Sequence, residues 1–159
     1  MRTLPLHDRL AHKGAVFQER YGVQVPLTFS GLEAEHRLIR DKVGITDFSY
    51  MQKFRISADA GVDFLDNLFA GNVAKTRFCR VLHTFLADPQ GNIIADCYVA
   101  NNDEDFIVLC ESIVDDQALR EFFNKNQAAQ AGLEDLTDTH VLISIDGYKA
   151  WALVRDIFV

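Results

Sequence analysis

Apolar positions along the chain recur at two spacings, and the spacing predicts the elements. Pro5 opens a weak helical pattern over Leu4–Gly22, with Leu6, Leu10 and Phe17 able to line one face. Pro26 breaks the stretch Val23–Phe29, which reads as extended or loop. Leu32, His36 and Ile39 return at helical spacing within Leu32–Lys42. Ser30 is its expected N-cap, Glu33 the capping-box partner, and Gly44 the stop. The period then switches to two. Ile45–Phe48 and Gln52–Ser57 read as strands, with Phe54 and Ile56 alternating against Lys53 and Arg55. Ser57 can cap a helix over Ala58–Ala70, whose apolar stripe is Val62, Leu65, Leu68 and Phe69, and Gly71 ends it. Strands follow at Val81–Ala87, Asn92–Ala100 and Asp105–Cys110, the first two joined by the turn Asp88-Pro89-Gln90-Gly91. Ser112 is the expected cap of a helix running to about Asn126, residues Gln127–Gly132 read as linker, and Val141–Ile145 and Lys149–Phe158 close the chain as strand and amphipathic helix.

From about residue 45 the order is therefore β-β-α-β-β-β-α, then β and the start of another α. Neighbouring strands joined by tight turns pair antiparallel, so the fold class is α+β, antiparallel sheets with flanking helices, rather than doubly wound α/β.

Composition narrows the function classes. A chain of 159 residues that is 48% hydrophobic, with 12 Phe, can bury a core and is not disordered. Its net charge of −7 disfavours nucleic acid and anionic membrane as partners, because both require a basic footprint. No run approaches the roughly 20 apolar residues of a membrane span, and MRTLPLHDRL lacks the apolar core of a secretory signal. Cys79, Cys97 and Cys110 are odd in number and widely spaced, which suits reduced thiols in the cytoplasm.

Nucleotide-loop, zincin and nucleophile-elbow motifs are absent, and no close Cys/His set suggests a metal site. The informative residue is Asp96, a carboxylate inside the apolar run Ile93-Ile94-Ala95-Asp96-Cys97-Tyr98-Val99. Such a group is costly unless exposed or hydrogen-bonded. A two-residue loop in the preceding hairpin would set Asp96 directly opposite His83, at about 5 Å between Cβ atoms. That pair reads either as an acid/base or cation-holding site, or as a surface pair on a solvated sheet face worth little. A slip of one residue would dissolve it. Asp47 reads as a turn or strand-end hydrogen bonder, Cys97 and Cys110 as small core residues, and Trp151 as a core anchor.

Several stretches together resemble the N-terminal part of the glycine cleavage T-protein (aminomethyltransferase) family. They are Leu6-His7-Asp8-Arg9, the run from Glu35-His36-Arg37 through Val43-Gly44-Ile45 to Asp47, Ser49 and Met51, the helix and turn from Phe64-Leu65 to Asn72-Val73, the strand Gly91–Val99, and Leu142–Gly147. The resemblance covers nearly the whole chain in register. It implies a tetrahydrofolate-dependent transferase that moves an aminomethyl- or methyl-derived carbon to folate. The family's strand aspartate carries over to Asp96 as the catalytic residue. Its folate-contact positions carry over to Met51, His83, Cys110 and Ser112. Of these only Met51 is typical; His83 stands for a usual Tyr or Leu, Cys110 for Val, Ser112 for Asn, and Ala95 for a frequent second Asp. The segment Asp47–Phe54 looks closer to relatives that demethylate N-, O- or S-methyl compounds.

The same resemblance implies an N-terminal segment over 1–44, a first β2-α-β3-α unit over 45–132, and the start of a second unit over 133–159. Folate, a small amine or methyl donor and a lipoyl carrier protein are the implied partners. The chain stops in the apolar run Trp151–Val159, so a homodimer or a C-terminal partner chain is expected to cover that end, or else the end is poorly ordered. A truncated paralogue that binds folate or a partner without turnover is the alternative.

Overall fold

A computed structural model of the chain describes residues 2–112, 115–126, 129 and 131–158, with the side chain of Ser112 outside that description. Two compact units divide it: unit 1 combines residues 1–50 with 141–159, and unit 2 is residues 51–140.

Unit 1 begins with β1 (Arg2–Thr3), α1 (His7–His12), β2 (Val16–Arg20) and β3 (Val23–Thr28). The helical reading of Leu4–Gly22 holds only over His7–His12; Val16–Arg20 is strand and the remainder is turn or irregular. Gly14 at φ 87° turns the chain, and the run Val16–Arg20 pairs with β3 instead of continuing the helix. Pro26 is tolerated in β3 because β1 pairs only with Val23 and Gln24, and because β2 is bulged at Val16/Phe17. Leu4, Val23 and Val25 form a small core beneath Tyr50.

Helix α2 (Leu32–Asp41) is capped differently from the capping-box expectation. Its N-cap is Gly31 at φ 97°, with no side-chain cap. The acceptor is Glu35, whose Oε1 takes the amide protons of Phe29, Ser30 and Gly31 and the Thr28 hydroxyl. Glu33 instead pairs with Arg37 at 2.7 Å. Gly44 does not stop this helix but opens β4 (Gly44–Asp47), where a Cβ would lie 2.5 Å from the Ile39 side chain.

Unit 2 follows with β5 (Gln52–Ser57), α3 (Ala58–Leu68), a short 3-10 turn at Val73–Lys75, β6 (Val81–Ala87), β7 (Ile93–Asn101), β8 (Asp105–Ser112), α4 (Asp116–Lys125) and β9 (Glu134–Asp135). Ser57 caps α3 as its sequence position requires, accepting from the Ala60 amide. Helix α4 starts later than expected: its cap is Asp115, accepting from Ala118, and Ser112 belongs to β8. The five strands form one sheet in the order β6-β7-β8-β5-β9, antiparallel at every pairing. Alternation sends Phe54, Ile56, Leu86, Ala95, Cys97, Val99, Phe106, Val108 and Cys110 to one face, where Leu65 and Phe69 with Leu119 and Phe123 cover them.

The chain then returns to unit 1 as β10 (Ile143–Asp146) and α5 (Ala150–Phe158). β10 pairs antiparallel with β4, Ile145 opposite Ile45, in a two-stranded ladder. Sheets that are antiparallel except where β1 pairs parallel with β3, with flanking helices, bear out the α+β expectation. Trp151, read as a core anchor, is 82% exposed.

Candidate functional site

The second face of the unit 2 sheet receives no helix from its own unit among the described residues, and it carries Asp96. The β6-β7 hairpin sets what surrounds that carboxylate. Its turn is longer than a two-residue loop: the Asp88 amide donates to the Asn92 carbonyl, and Gly91 sits at φ 85°. Asp88 accepts from the Asn92 side chain and from the amides of Asn92 and Gln90, which hold its carboxyl below the ordinary range. A further irregularity lies between Leu86 and Ala87.

Together these shift the register. His83 stands opposite Tyr98, and Asp96 opposite Phe85. The expected direct pairing of Asp96 with His83 is thus replaced by a diagonal one. The two side chains still meet, with His83 Nε2 2.6 Å from Asp96 Oδ1. The imidazole also lies flat against Tyr98, ring centres 4.8 Å apart and planes 16° from parallel. A diagonal neighbour on a pleated sheet is within reach of a long or aromatic side chain, which is why the contact survives the shift. The pair is open to solvent, with side chains 62% and 45% exposed. Its worth in folding stability is therefore small, and its effect is to aim the carboxylate.

Two further residues join this face without having been singled out in the sequence. Glu111 stands directly opposite Asp96 on β8. Lys53 lies in one cross-strand row with Leu109, Tyr98 and His83. Lys53 is buried and donates from Nζ to the Met51 carbonyl at 2.8 Å. The alternation of β8 was a signal for Glu111; the burial of Lys53 had none, since a lysine between Gln52 and Phe54 reads as the solvated side of a strand.

The remaining sequence candidates fall in different places. Met51 is buried one residue before β5. Cys110 faces the other way, fully buried in the core opposite Cys97, with the sulfurs 3.2 Å apart. Burial, reinforced by the Cys97 sulfur, pushes its thiol well above the ordinary range. This matches the core reading, and it leaves only backbone atoms of Cys110 for any ligand on the open face. The side chain of Ser112 lies outside the described residues; its backbone pairs with Ala95. Among the described residues no group of three His, Cys, Asp or Glu could hold a metal ion, and no helix is long and apolar enough to cross a membrane.

This α+β arrangement is shared with a solved enzyme: the crystal structure of glycine cleavage system aminomethyltransferase T from Bartonella henselae superposes with a TM-score of 0.81, at 22% identity, over 98% of this chain and 43% of that one. Sequence relatives agree. The chain is 30% identical to an aminomethyltransferase of Deinococcus deserti and 27% identical to one of Saccharopolyspora erythraea, in each case over 94% of its own length. A GCVT N-terminal domain model matches residues 6–159. The chain belongs to the glycine cleavage T-protein family, which it matches through the model of that family's N-terminal domain. It spans 42% and 41% of those two curated relatives.

Proposed function

We propose that this chain supplies the N-terminal, folate-binding part of a tetrahydrofolate-dependent one-carbon transferase, with Asp96 as its catalytic residue. One observation carries the reading. In a chain matching the family over residues 6–159, the carboxylate that interrupts an apolar strand sits on the open sheet face, held by His83 at 2.6 Å. A fixed negative charge there stabilises a cationic amine as carbon leaves it, and it does so best when water is excluded. His83 and Tyr98 keep the carboxylate in one orientation, so binding does not have to order it.

The residues present fit a folate on this face. Phe85 and Tyr98 offer aromatic and apolar surface beside Asp96, and a flat, partly polar ring system needs both kinds of contact. Met51 and His83 are the side chains proposed to hold it, with Cys110 contributing through its backbone and Ser112 as a further contact. Tetrahydrofolate supplies, when bound, the nitrogen that takes up the carbon. The donor is a small amine or methyl compound, or an aminomethyl group on a lipoyl carrier protein. We place the activity in the cytoplasm. The proposed boundaries remain 1–44, 45–132 and 133–159, the last opening a second like unit.

The test is Asp96→Asn in the chain joined to, or mixed with, the C-terminal portion of a relative. Transfer to tetrahydrofolate should fall by a factor of about 100 or more, the scale of losing one preorganised electrostatic group. Undiminished transfer would remove Asp96 from the catalytic role. A second reading, a folate- or partner-binding module without turnover, is favoured by the atypical residues at carried-over contact positions, His83 and a Cys110 whose side chain is buried in the core. Calorimetry with tetrahydrofolate separates the two. Tight binding by the chain alone, with no transfer after a C-terminal portion is added, supports the module.

A further inference from the structure

Lys53 is a buried cation that the proposed transfer does not use. Gln52, the residue before it, is buried on the core side, where its side chain donates to the Asp116 carbonyl at the start of α4. Alternation therefore sends Lys53 to the open sheet face, in the cross-strand row of Leu109, Tyr98 and His83. A lysine on a sheet face ordinarily runs its stem along the surface and keeps its ammonium in water. Lys53 does not. It is 3% exposed, and Nζ turns back along its own strand to donate to the Met51 carbonyl at 2.8 Å. The ladder between β5 and β8 runs from Gln52 to Ser57, so that carbonyl lies one residue before it.

An ammonium taken out of water is costly, and it persists in an interior only where its hydrogen bonds are made. Here one of those bonds falls on the backbone of a residue proposed to hold folate. We propose that Lys53 is a positioning residue for Met51: its ammonium fixes the Met51 carbonyl, and so the direction from which the Met51 side chain meets the ligand. This role rests on the folate reading of the open face. Backbone that is fixed before the ligand arrives does not have to be ordered on binding. The effect of Lys53 therefore falls on affinity for tetrahydrofolate, and transfer of the carbon at Asp96 is left as it was.

The test is Lys53→Leu, since an apolar side chain in place of a buried charge is commonly tolerated. Lys53→Gln, too short to reach as far, carries the test if Lys53→Leu does not fold. In the chain joined to the C-terminal portion of a relative, either variant should raise KM for tetrahydrofolate about tenfold, the scale of one charge-assisted hydrogen bond, and leave kcat within about twofold. A double-mutant cycle with Met51→Ala identifies the route. If Lys53 acts through Met51, the double variant should bind no worse than Met51→Ala alone. The chain has two methionines, Met1 and Met51, so Met51→Leu assigns the Met51 methyl signal, which should shift in Lys53→Leu before any ligand is added. A parent that shows no saturation with tetrahydrofolate would sink the folate reading, and Lys53 with it. A parent that saturates while Lys53→Leu keeps its KM overturns the role of Lys53 alone. So do losses that multiply in the double variant, or an unmoved Met51 methyl.

Discussion

At the scale of the residue, Glu35 shows how one carboxylate can replace a helix cap. Four donors, led by the Thr28 hydroxyl and the Phe29 amide, lower its pKa from 4.5 to about 2. Folding therefore releases its proton, and the stabilisation is fully present above pH 4.5, the value in the unfolded chain. It is lost as the pH falls towards about 2. Glu35→Gln should destabilise the protein near neutral pH by about 1 kcal/mol, the scale of a lost cap. The gap between variant and parent in urea midpoint should close as the pH is lowered through that window. A gap independent of pH would mean that size or packing, not charge, is what Glu35 contributes. The sequence offers Glu33 for this role by spacing, and the structure uses Glu35, because capping boxes presume a side-chain cap that Gly31 cannot provide. Asp96 was legible for the opposite reason: a carboxylate inside an apolar strand needs a partner wherever the fold puts it.

At the scale of the element, strands and helices were legible wherever the period was sustained, as in β5, whose bounds Gln52–Ser57 match the alternation. Register was not. Two local irregularities moved His83 from opposite Asp96 to a diagonal position, and neither the loop length nor the slip at Leu86/Ala87 has a hydrophobic signature. The pairing of β4 with β10 was equally hidden, since nothing in either four-residue run specifies a partner so distant in sequence. The turn after β10 makes that pairing demanding. Gly147 sits at φ 121°, and a Cβ there would lie 2.4 Å from the Ile39 carbonyl oxygen and 2.8 Å from that of Lys42. Both obstacles are backbone, so they cannot swing away. Gly147→Ala should cost about 2 kcal/mol or more. Gly14→Ala, at a similar positive φ but with open space around it, should cost about 1 kcal/mol. Chemical denaturation of the two variants measures the difference, and equal losses would exclude the close approach as the cause.

At the scale of the whole molecule, the chain aligns along nearly its full length with proteins more than twice as long. It also carries an unusual amount of apolar side chain into solvent. Tyr148, Trp151 and Phe158 on and beside α5 are 84%, 82% and 75% exposed. Surfaces of this kind mark contacts with other polypeptide. Trp151 is the sole tryptophan, so its fluorescence reports on α5 alone. In dilute solution the indole should be fully open to acrylamide. As concentration rises it should become protected over the range in which sedimentation shows association. A chain that stays monomeric with an open indole throughout would contradict this. The division into units also bears on synthesis. Unit 2 is one continuous run, residues 51–140, whereas unit 1 joins residues 1–50 to 141–159. On the ribosome, β4 leaves first and its ladder partner β10 only after all of unit 2 has been made. At about 5–20 residues per second, β4 waits several seconds as an unpaired edge while the sheet of unit 2 can already close. The order of birth thus leaves residues 1–50, made first, waiting for residues 141–159 before unit 1 can close, and its vulnerable interval is the time taken to make unit 2.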